Sequence, residues 1–265
     1  MIRRRTASVG LLAMLAACSS PKKTPILGVQ IPVLPDQSGM GVAPDAPAVT
    51  LPAPAALNAW PQPFANASHA PGNVAGPVNF AQRWQVGIGA PGGYRQPLMA
   101  SPLVAGSSIF VMDANAHVRA LSLTDGATIW HADTRPKHVT TLNIGGGIAY
   151  DSGRIYASTG YGEALALDAE SGKILWRQKL EFAARSAPLV AAGLVAIVTQ
   201  NDQLLTFEAK SGTPSWRFSG VVGTPPQAAA GVTGAPAFAD GNIVAGFSTG
   251  LLLSLIHISE PTRPY

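Results

Sequence analysis

The chain has 265 residues, of which 47% are hydrophobic and only 12% are charged, and it contains 28 glycines and 23 prolines. This length allows one sizeable domain and a tail, and the composition suits short strands and turns better than charged amphipathic helices. The formal net charge is +4, but residues 18–252 hold 14 Lys and Arg against 13 Asp and Glu, with the two signs interspersed. A nucleic-acid-binding surface needs clustered surplus cations, so we exclude nucleic acid as a partner.

The first 17 residues predict a lipoprotein signal peptide. Three consecutive arginines at positions 3–5 precede an apolar run over residues 9–15, and two small residues then lead directly to Cys18, the only cysteine in the chain. This segment has the order of regions of a secretory leader and is too short to remain as a membrane-spanning helix. Its last residues resemble the bacterial lipobox, which implies cleavage before Cys18 and palmitate on that cysteine.

Cys18 and Ser19 indicate where the protein resides. A lone cysteine excludes an intrachain disulfide and a cysteine-based metal site. Lipid chains on Cys18 would anchor the protein firmly, since each buried methylene contributes about 0.8 kcal/mol. Ser19, in place of the Asp that retains lipoproteins in the inner membrane, favours the outer membrane, facing the periplasm. An ordinary signal peptide with an incidental cysteine is the alternative.

Residues 18–79 predict a lipidated Pro/Ala-rich tether that is mostly disordered. Residues 19–79 contain 12 prolines and four charged side chains. Proline lacks the N–H needed for a helix or a sheet ladder and restricts the residue before it. We therefore expect an extended connection between the lipid and a folded domain. Trp60 and Phe64 are expected to dock on this domain, with docking on a partner as the alternative.

From residue 80 to residue 252 the chain repeats one pattern: an apolar residue, an Asp-Gly or Ser-Gly pair, and a tryptophan four residues after the glycine. Three copies align without a gap, and the distances between their tryptophans are 46 and 40 residues. Such a period is typical of four-stranded propeller blades. In each copy another apolar residue precedes the first by twelve positions. The repeated glycines and tryptophans are Gly126, Trp130, Gly172, Trp176, Gly212 and Trp216.

The third copy shows how one repeat should fold. Residues 186–190 start an inner strand, residues 194–198 and 203–207 form the next two, and the outer strand carries Trp216. Gly212 lies in a tight turn that needs a positive φ. A sheet with apolar residues on both faces must stack on its neighbours, and a tryptophan can pack between them. The sequence therefore predicts an all-β fold, an incomplete β-propeller of about three and a half four-stranded antiparallel blades.

Both ends of the repeat region depart from the pattern. Residues 80–86 predict an outer strand that carries Trp84 and has no blade before it; such a strand commonly completes the last blade of a closed ring. A fourth copy begins at Gly241, but a Ser-Glu-Pro sequence stands where its turn and tryptophan are expected. Residues 253–265 resemble a translated sequencing adapter. We therefore expect a non-native tail there and a longer natural protein, with a natural divergent C-terminus as the alternative.

The sequence contains no recognisable catalytic motif. The five histidines lack the close spacing of a zinc site, and no nucleophile elbow occurs. Residues 87–92 fit the dinucleotide fingerprint, but proline and glycine oppose the helix that it requires. Asp113, Asp151 and Asp202 lie at turn positions, where capping of backbone N–H groups is the expected role. We therefore expect a protein without catalytic residues, bound metal or cofactor.

The lipobox at Cys18, the lone strand at Trp84 and the blades over residues 100–252 together resemble the BamB family, the propeller lipoproteins of the outer-membrane β-barrel assembly machine. The resemblance implies an eight-bladed, non-enzymatic scaffold that supports folding and insertion of barrel proteins. It also implies docking, through interblade loops, on the periplasmic domains of the barrel-inserting subunit. One such loop corresponds to residues 221–234, which lack the Leu and Arg side chains associated with it in the family. No contact residue is therefore carried over from the family, and the candidate loop is the one around Gly223, Thr224, Gln227 and Thr233.

Two other functions remain open. The repeat is also similar to the blade motif of quinoprotein dehydrogenases, which bind pyrroloquinoline quinone (PQQ) and calcium, so a periplasmic PQQ-dependent dehydrogenase-like protein is the alternative. Those enzymes use a vicinal cysteine pair, which this chain lacks. A lipoprotein that binds sugar or peptidoglycan would need clustered surface aromatics. Only 7% of the residues are aromatic, and many of them stand at repeat positions.

Overall fold

The computed structural model describes residue 45 and residues 47–77, 79–184, 186–220 and 234–256. Contacts divide the chain into two units, Met1–Thr50 and Leu51–Tyr265. The second unit contains the fifteen described strands. No α-helix occurs among the described residues, and none of these residues therefore forms a helix long and apolar enough to cross a membrane.

The strands form four antiparallel sheets, three with four strands and the last with three, and strand order follows chain order in each. The first blade contains β1 (Leu103–Ala105), β2 (Ser108–Met112), β3 (His117–Ser122) and β4 (Thr128–Asp133). The second contains β5 (Gly146–Asp151), β6 (Arg154–Thr159), β7 (Glu163–Asp168) and β8 (Ile174–Lys179). The third contains β9 (Leu189–Ala191), β10 (Leu194–Val198), β11 (Gln203–Glu208) and β12 (Pro214–Ser219). The fourth contains β13 (Ala237–Ala239), β14 (Asn242–Gly246) and β15 (Leu252–Ile256).

The first strands of the four sheets lie side by side. β1 contacts β5, β5 contacts β9, and β9 contacts β13. Each of these four strands pairs along one edge only, with the second strand of its own sheet. We call the opposite edges of the four strands together the inner edge of the blades. Because each sheet then extends outward from its first strand, the arrangement is that of an incomplete β-propeller. The all-β propeller prediction is confirmed.

The twelve-residue spacing seen in the sequence is the register of the two middle strands. Ile155 pairs with Leu167, and Val195 pairs with Phe207. The first blade shows the same pairing of Ile109 with Leu121, and the fourth blade pairs Ile243 with Leu255. The two apolar residues of each pair lie on the same face of the sheet, so the spacing fixes which side chains each blade presents to its neighbour.

Apolar side chains fill the spaces between neighbouring blades. One cluster joins the first and second blades, another the second and third, and another the third and fourth. All five residues of β10 are buried, because both faces of its sheet are covered. Full burial of a Leu or Ile side chain contributes about 1.5–3 kcal/mol, so each blade depends on its neighbours. The largest fully buried side chains are Leu103, Leu121, Ile148, Ile155, Leu165, Leu167, Leu189, Ile197 and Leu204.

Several boundaries differ from the expectation. Residues 80–86 form no strand in the described structure, since no described strand lies beside them to supply ladder hydrogen bonds. The inner strand of the third blade begins at Leu189 rather than at residue 186, after a proline that has no N–H to donate. β15 crosses the boundary expected at residue 252 and pairs with β14. The rest of the expected tail, residues 257–265, lies outside the described residues.

Candidate functional site

Each tryptophan of the repeat contacts the blade that follows it. The Nε1 of Trp130 donates a 2.9 Å hydrogen bond to the carbonyl of Ala169, and the Nε1 of Trp176 donates a 3.0 Å bond to that of Ala209. Both acceptors directly follow the third strand of the next blade. Both tryptophans are 9% exposed. A buried indole needs such a partner, so these side chains join neighbouring sheets.

The repeated glycines lie beneath these rings for two reasons. Each adopts a positive φ of 71–75° in the turn before the outer strand, a conformation that costs other residues about 1–2 kcal/mol. A Cβ at each position would also lie only 2.5–2.7 Å from an indole carbon of the preceding tryptophan. The three contacts are Trp84 on Gly126, Trp130 on Gly172, and Trp176 on Gly212.

Trp84 takes the same position although its segment forms no strand. Its Nε1 donates a 3.2 Å hydrogen bond to the carbonyl of Leu123, the residue after β3. Trp216 stands at the other end of the series, and its buried Nε1 has no hydrogen-bond partner within the part of the chain that the structure describes. In the repeat register its acceptor would be residue 257, which lies outside that part.

Residues 60–67, here called the strap, run along the inner edge of the blades. The backbone of Trp60 exchanges two hydrogen bonds with Val104 in β1, at 2.7 and 3.0 Å. One residue later, the carbonyl of Pro61 accepts a 2.7 Å hydrogen bond from the N–H of Tyr150 in β5. The strap is thus hydrogen-bonded to the first and second blades through its backbone.

The strap continues to the third and fourth blades. The side-chain Nε2 of Gln62 donates to the carbonyl of Val190 in β9 at 2.7 Å, and its Oε1 accepts from the N–H of the same residue at 3.2 Å. Gln62 is 5% exposed. The carbonyl of Ala67 accepts a 2.7 Å hydrogen bond from the N–H of Phe238 in β13. All four blades are therefore bonded to one short segment.

A tight turn separates the two halves of the strap. The N–H of Ala65 donates to the carbonyl of Gln62 at 3.1 Å, and Phe64 and Ala65 have positive φ values of 59° and 82°. Residues with a Cβ resist this conformation, so the contacts on either side must hold the turn. The Phe64 side chain is 61% exposed, whereas Ala65 is buried.

The strap differs from the mostly disordered tether expected for residues 18–79. Proline has no N–H to donate, but its carbonyl can still accept a hydrogen bond. The carbonyl of Pro61 accepts one from the second blade. Trp60 lies on its own domain, as expected, whereas the Phe64 ring remains largely in solvent. Nothing periodic marks this segment, so its hydrogen bonds to the blades could not be found from the sequence.

A groove of about 810 Å³ lies between the segment after β4 and the outer part of the second blade. Its charged side chains include an ion pair of Glu163 with Arg177, and Arg177 also donates to the carbonyl of Thr134 at 3.0 Å. Arg135, Lys137 and Lys179 add positive charge, against Asp133. Burial raises the pKa of the Tyr161 hydroxyl in its wall. The surplus of cations favours acidic groups of a partner.

Two buried carboxylates, those of Asp113 and Asp202, accept hydrogen bonds within the fold. Asp113 accepts hydrogen bonds of 2.9 Å from the N–H groups of Ala90, Asn115 and His117, which is the capping role expected for it. Asp202 instead joins two blades, because its carboxylate accepts from the N–H of Ser248 at 2.9 Å and from the hydroxyl of that residue. Both carboxylates are thus engaged in hydrogen bonds within the fold.

Some expected sites lie outside the described residues. These are Cys18 and the loop with Gly223, Thr224, Gln227 and Thr233. Among the residues that the structure does describe, no three His, Cys, Asp or Glu side chains converge on a possible metal position. Residues 87–92 form a loop without a helix, so they lack the context of a dinucleotide site.

Comparisons with known proteins match the blades. A family model described as "Outer membrane protein assembly factor BamB" matches residues 114–257, just over half of the chain. A protein of that name from Burkholderia pseudomallei is 29% identical over 186 residues, which cover 69% of this chain and 45% of the relative. The chain spans 35–45% of the length of three assembly factors that it matches.

The chain is also similar to quinone-dependent enzymes. The dehydrogenase subunit of a quinone alcohol dehydrogenase from Komagataeibacter europaeus is 25% identical over 140 residues, 44% of this chain and 19% of the relative. Among solved structures, the quinohemoprotein alcohol dehydrogenase from Comamonas testosteroni matches with a TM-score of 0.58 and 19% identity over 73% of this chain and 36% of that chain. This likeness shows a shared fold.

Proposed function

The chain belongs to the family of outer membrane protein assembly factor BamB, and from this membership we propose that it is part of a non-enzymatic scaffold in the assembly of outer-membrane β-barrel proteins. The family match over residues 114–257 carries the proposal. We further propose a lipid anchor on Cys18, a location at the outer membrane facing the periplasm, and binding to the periplasmic domains of the barrel-inserting subunit.

The use of polar groups within the blades supports a scaffold. The indole N–H groups of Trp130 and Trp176 and the carboxylates of Asp113 and Asp202 are hydrogen-bonded to backbone atoms. These groups therefore stabilise turns and join blades. What remains for other molecules is the set of loops, edges and grooves. The cationic groove of the second blade is a candidate contact surface for an acidic part of a partner.

Deletion of the gene that encodes this sequence tests the proposed function. We expect lower amounts of folded, heat-modifiable outer-membrane barrels, and we expect the tagged protein to co-purify with the barrel-inserting subunit. The variant Lys137→Glu/Lys179→Glu should reduce co-purification, whereas Lys173→Glu, in a turn outside the groove, should not. Normal barrel levels together with no co-purified insertion subunit would contradict the scaffold.

The second candidate is a PQQ-dependent dehydrogenase-like protein, which the match to the quinone alcohol dehydrogenase subunit favours. Among the described residues, no three His, Cys, Asp or Glu side chains converge on a possible position for the calcium that accompanies the quinone. Titration of the purified protein with PQQ and Ca²⁺, followed by quinone absorbance, decides between the candidates. Saturable quinone binding with alcohol-dependent dye reduction would favour the enzyme.

A further inference from the structure

The strap occupies a place where the blades offer unused backbone groups. The first strand of each sheet is paired only with the second strand, so half of its N–H and C=O groups point to the inner edge. The strap reaches one such position in every blade, at Val104, Tyr150, Val190 and Phe238. Addition of an extended chain to an exposed strand edge is a general mode of peptide recognition, in which backbone hydrogen bonds supply affinity.

At the third blade, the side-chain amide of Gln62 takes the place of a backbone peptide group. This amide exchanges two hydrogen bonds with Val190, the same pair that a residue of a neighbouring antiparallel strand would make. Gln62 is buried, so its loss would leave both polar groups of Val190 unpaired in the interior, which is unfavourable. A glutamine two positions after an aromatic residue is thus the side chain that this blade recognises.

The strap buries the side chains of Gln62, Pro63 and Ala65 but not that of Phe64. Phe64 and Ala65 have strained positive φ values, and strained residues persist only where their surroundings hold them. The Phe64 ring is 61% exposed and therefore contributes little apolar burial. The strap is part of the same chain as the blades. A free peptide that forms the same hydrogen bonds can compete with the strap for these positions.

We propose that the inner edge of the blades is a binding site for an extended peptide and that the strap is its resident intramolecular occupant. The peptide class is that of the strap itself, an extended segment with an aromatic residue followed by proline and glutamine. Such a peptide displaces the strap and takes over its hydrogen bonds to the four blades. This inference does not depend on the role in barrel assembly, because it rests on contacts within one chain.

A peptide with the sequence of residues 57–70 tests the proposal. Labelled with fluorescein, it is titrated by fluorescence anisotropy with the wild-type chain and with the variants Gln62→Ala and Asn73→Ala. Gln62→Ala weakens the resident strap, and the peptide supplies the missing amide, so we expect at least tenfold tighter binding than to wild type. Asn73 bonds to Pro52 within the tether, so its variant should match wild type. A peptide with alanine in place of Gln62 should bind the Gln62→Ala chain at least tenfold more weakly.

Equal affinity of the peptide for wild type and Gln62→Ala, or no binding to a Gln62→Ala chain with an unchanged far-UV spectrum, would overturn the proposal. Hydrogen exchange on the unaltered chain gives a result that does not depend on the variant. Millimolar peptide, comparable with the effective concentration of a tethered segment, should remove protection from the N–H of Trp60. The N–H groups of Val104 and Tyr150 should stay protected, because the peptide replaces the strap. Unchanged protection of the Trp60 N–H at saturating peptide would mean that the peptide does not displace the strap, and it would equally contradict the proposal.

Discussion

Replacement of Gly172 by alanine tests whether the contact of tryptophan with glycine holds neighbouring blades together. Gly172 has φ of 71°, which costs an alanine about 1–2 kcal/mol. A Cβ there would also lie 2.5 Å from Cε3 of Trp130, and an overpacked site of this kind costs about 1–3 kcal/mol. The ring must move, which weakens its hydrogen bond to Ala169, a further loss of about 0.5–1.5 kcal/mol. Together these contributions predict a decrease of about 2.5–6.5 kcal/mol in the free energy of unfolding.

Gly153 provides a matched control in the same blade. Its φ is 78°, but no atom lies within 4 Å of the position of a Cβ. Gly153→Ala should therefore cost only the backbone part, about 1–2 kcal/mol. Urea unfolding at 25 °C, followed by far-UV circular dichroism, measures both variants. Equal losses in Gly153→Ala and Gly172→Ala would refute the idea that the Trp130 ring requires glycine.

Three further changes test other contacts of the fold. Asp202→Ala removes the bonds to Ser248 and should cost about 2–3 kcal/mol, with faster hydrogen exchange in the fourth blade; unchanged exchange in β14 would contradict this link. Glu163→Ala removes the carboxylate that pairs with the partly exposed Arg177 and should lower the free energy of unfolding by about 1–3 kcal/mol. A smaller loss in high salt would be consistent with the ion pair, and no loss at all would contradict a stabilising role of this pair. Burial lowers the pKa of His69 in the folded protein, so the unfolded chain binds more protons and stability should fall as the pH drops below the ordinary histidine pKa of about 6.5. His69→Asn, which tolerates the positive φ at this position, should abolish that decrease in urea midpoints measured between pH 7.5 and 5.

The blades could be predicted from the sequence because every repeat has the same spacing of apolar residues and the same glycine and tryptophan. The twelve-residue spacing of Ile155 and Leu167 is the distance between two paired positions of adjacent strands. Gly172 and Trp176 are visible because a positive φ and a large buried ring permit few other residues. Because the same residue types recur at the same positions in several copies, the pattern can be distinguished from a chance match.

Docking of Trp60 was predicted, but the hydrogen bonds of the strap could not be, because they come from backbone atoms and from one amide side chain. A carbonyl at Pro61 that meets the N–H of Tyr150 leaves no mark in the sequence, since every residue has a carbonyl. Gln62 occurs once, in a segment whose composition favours extended chain. The segment of Trp84 was predicted as a strand from its pattern, but ladder hydrogen bonds require a neighbouring strand as well as a suitable sequence.

Trp84 and the strap precede the first blade in the chain, and this order bears on how the molecule can be assembled when it is exported from its amino-terminal end. The ring that covers Gly126 then arrives before β1–β4, and each later sheet meets an indole that preceded it. Because a repeat protein gains stability as each unit joins its neighbour, the blades can be added one at a time, from the amino-terminal end.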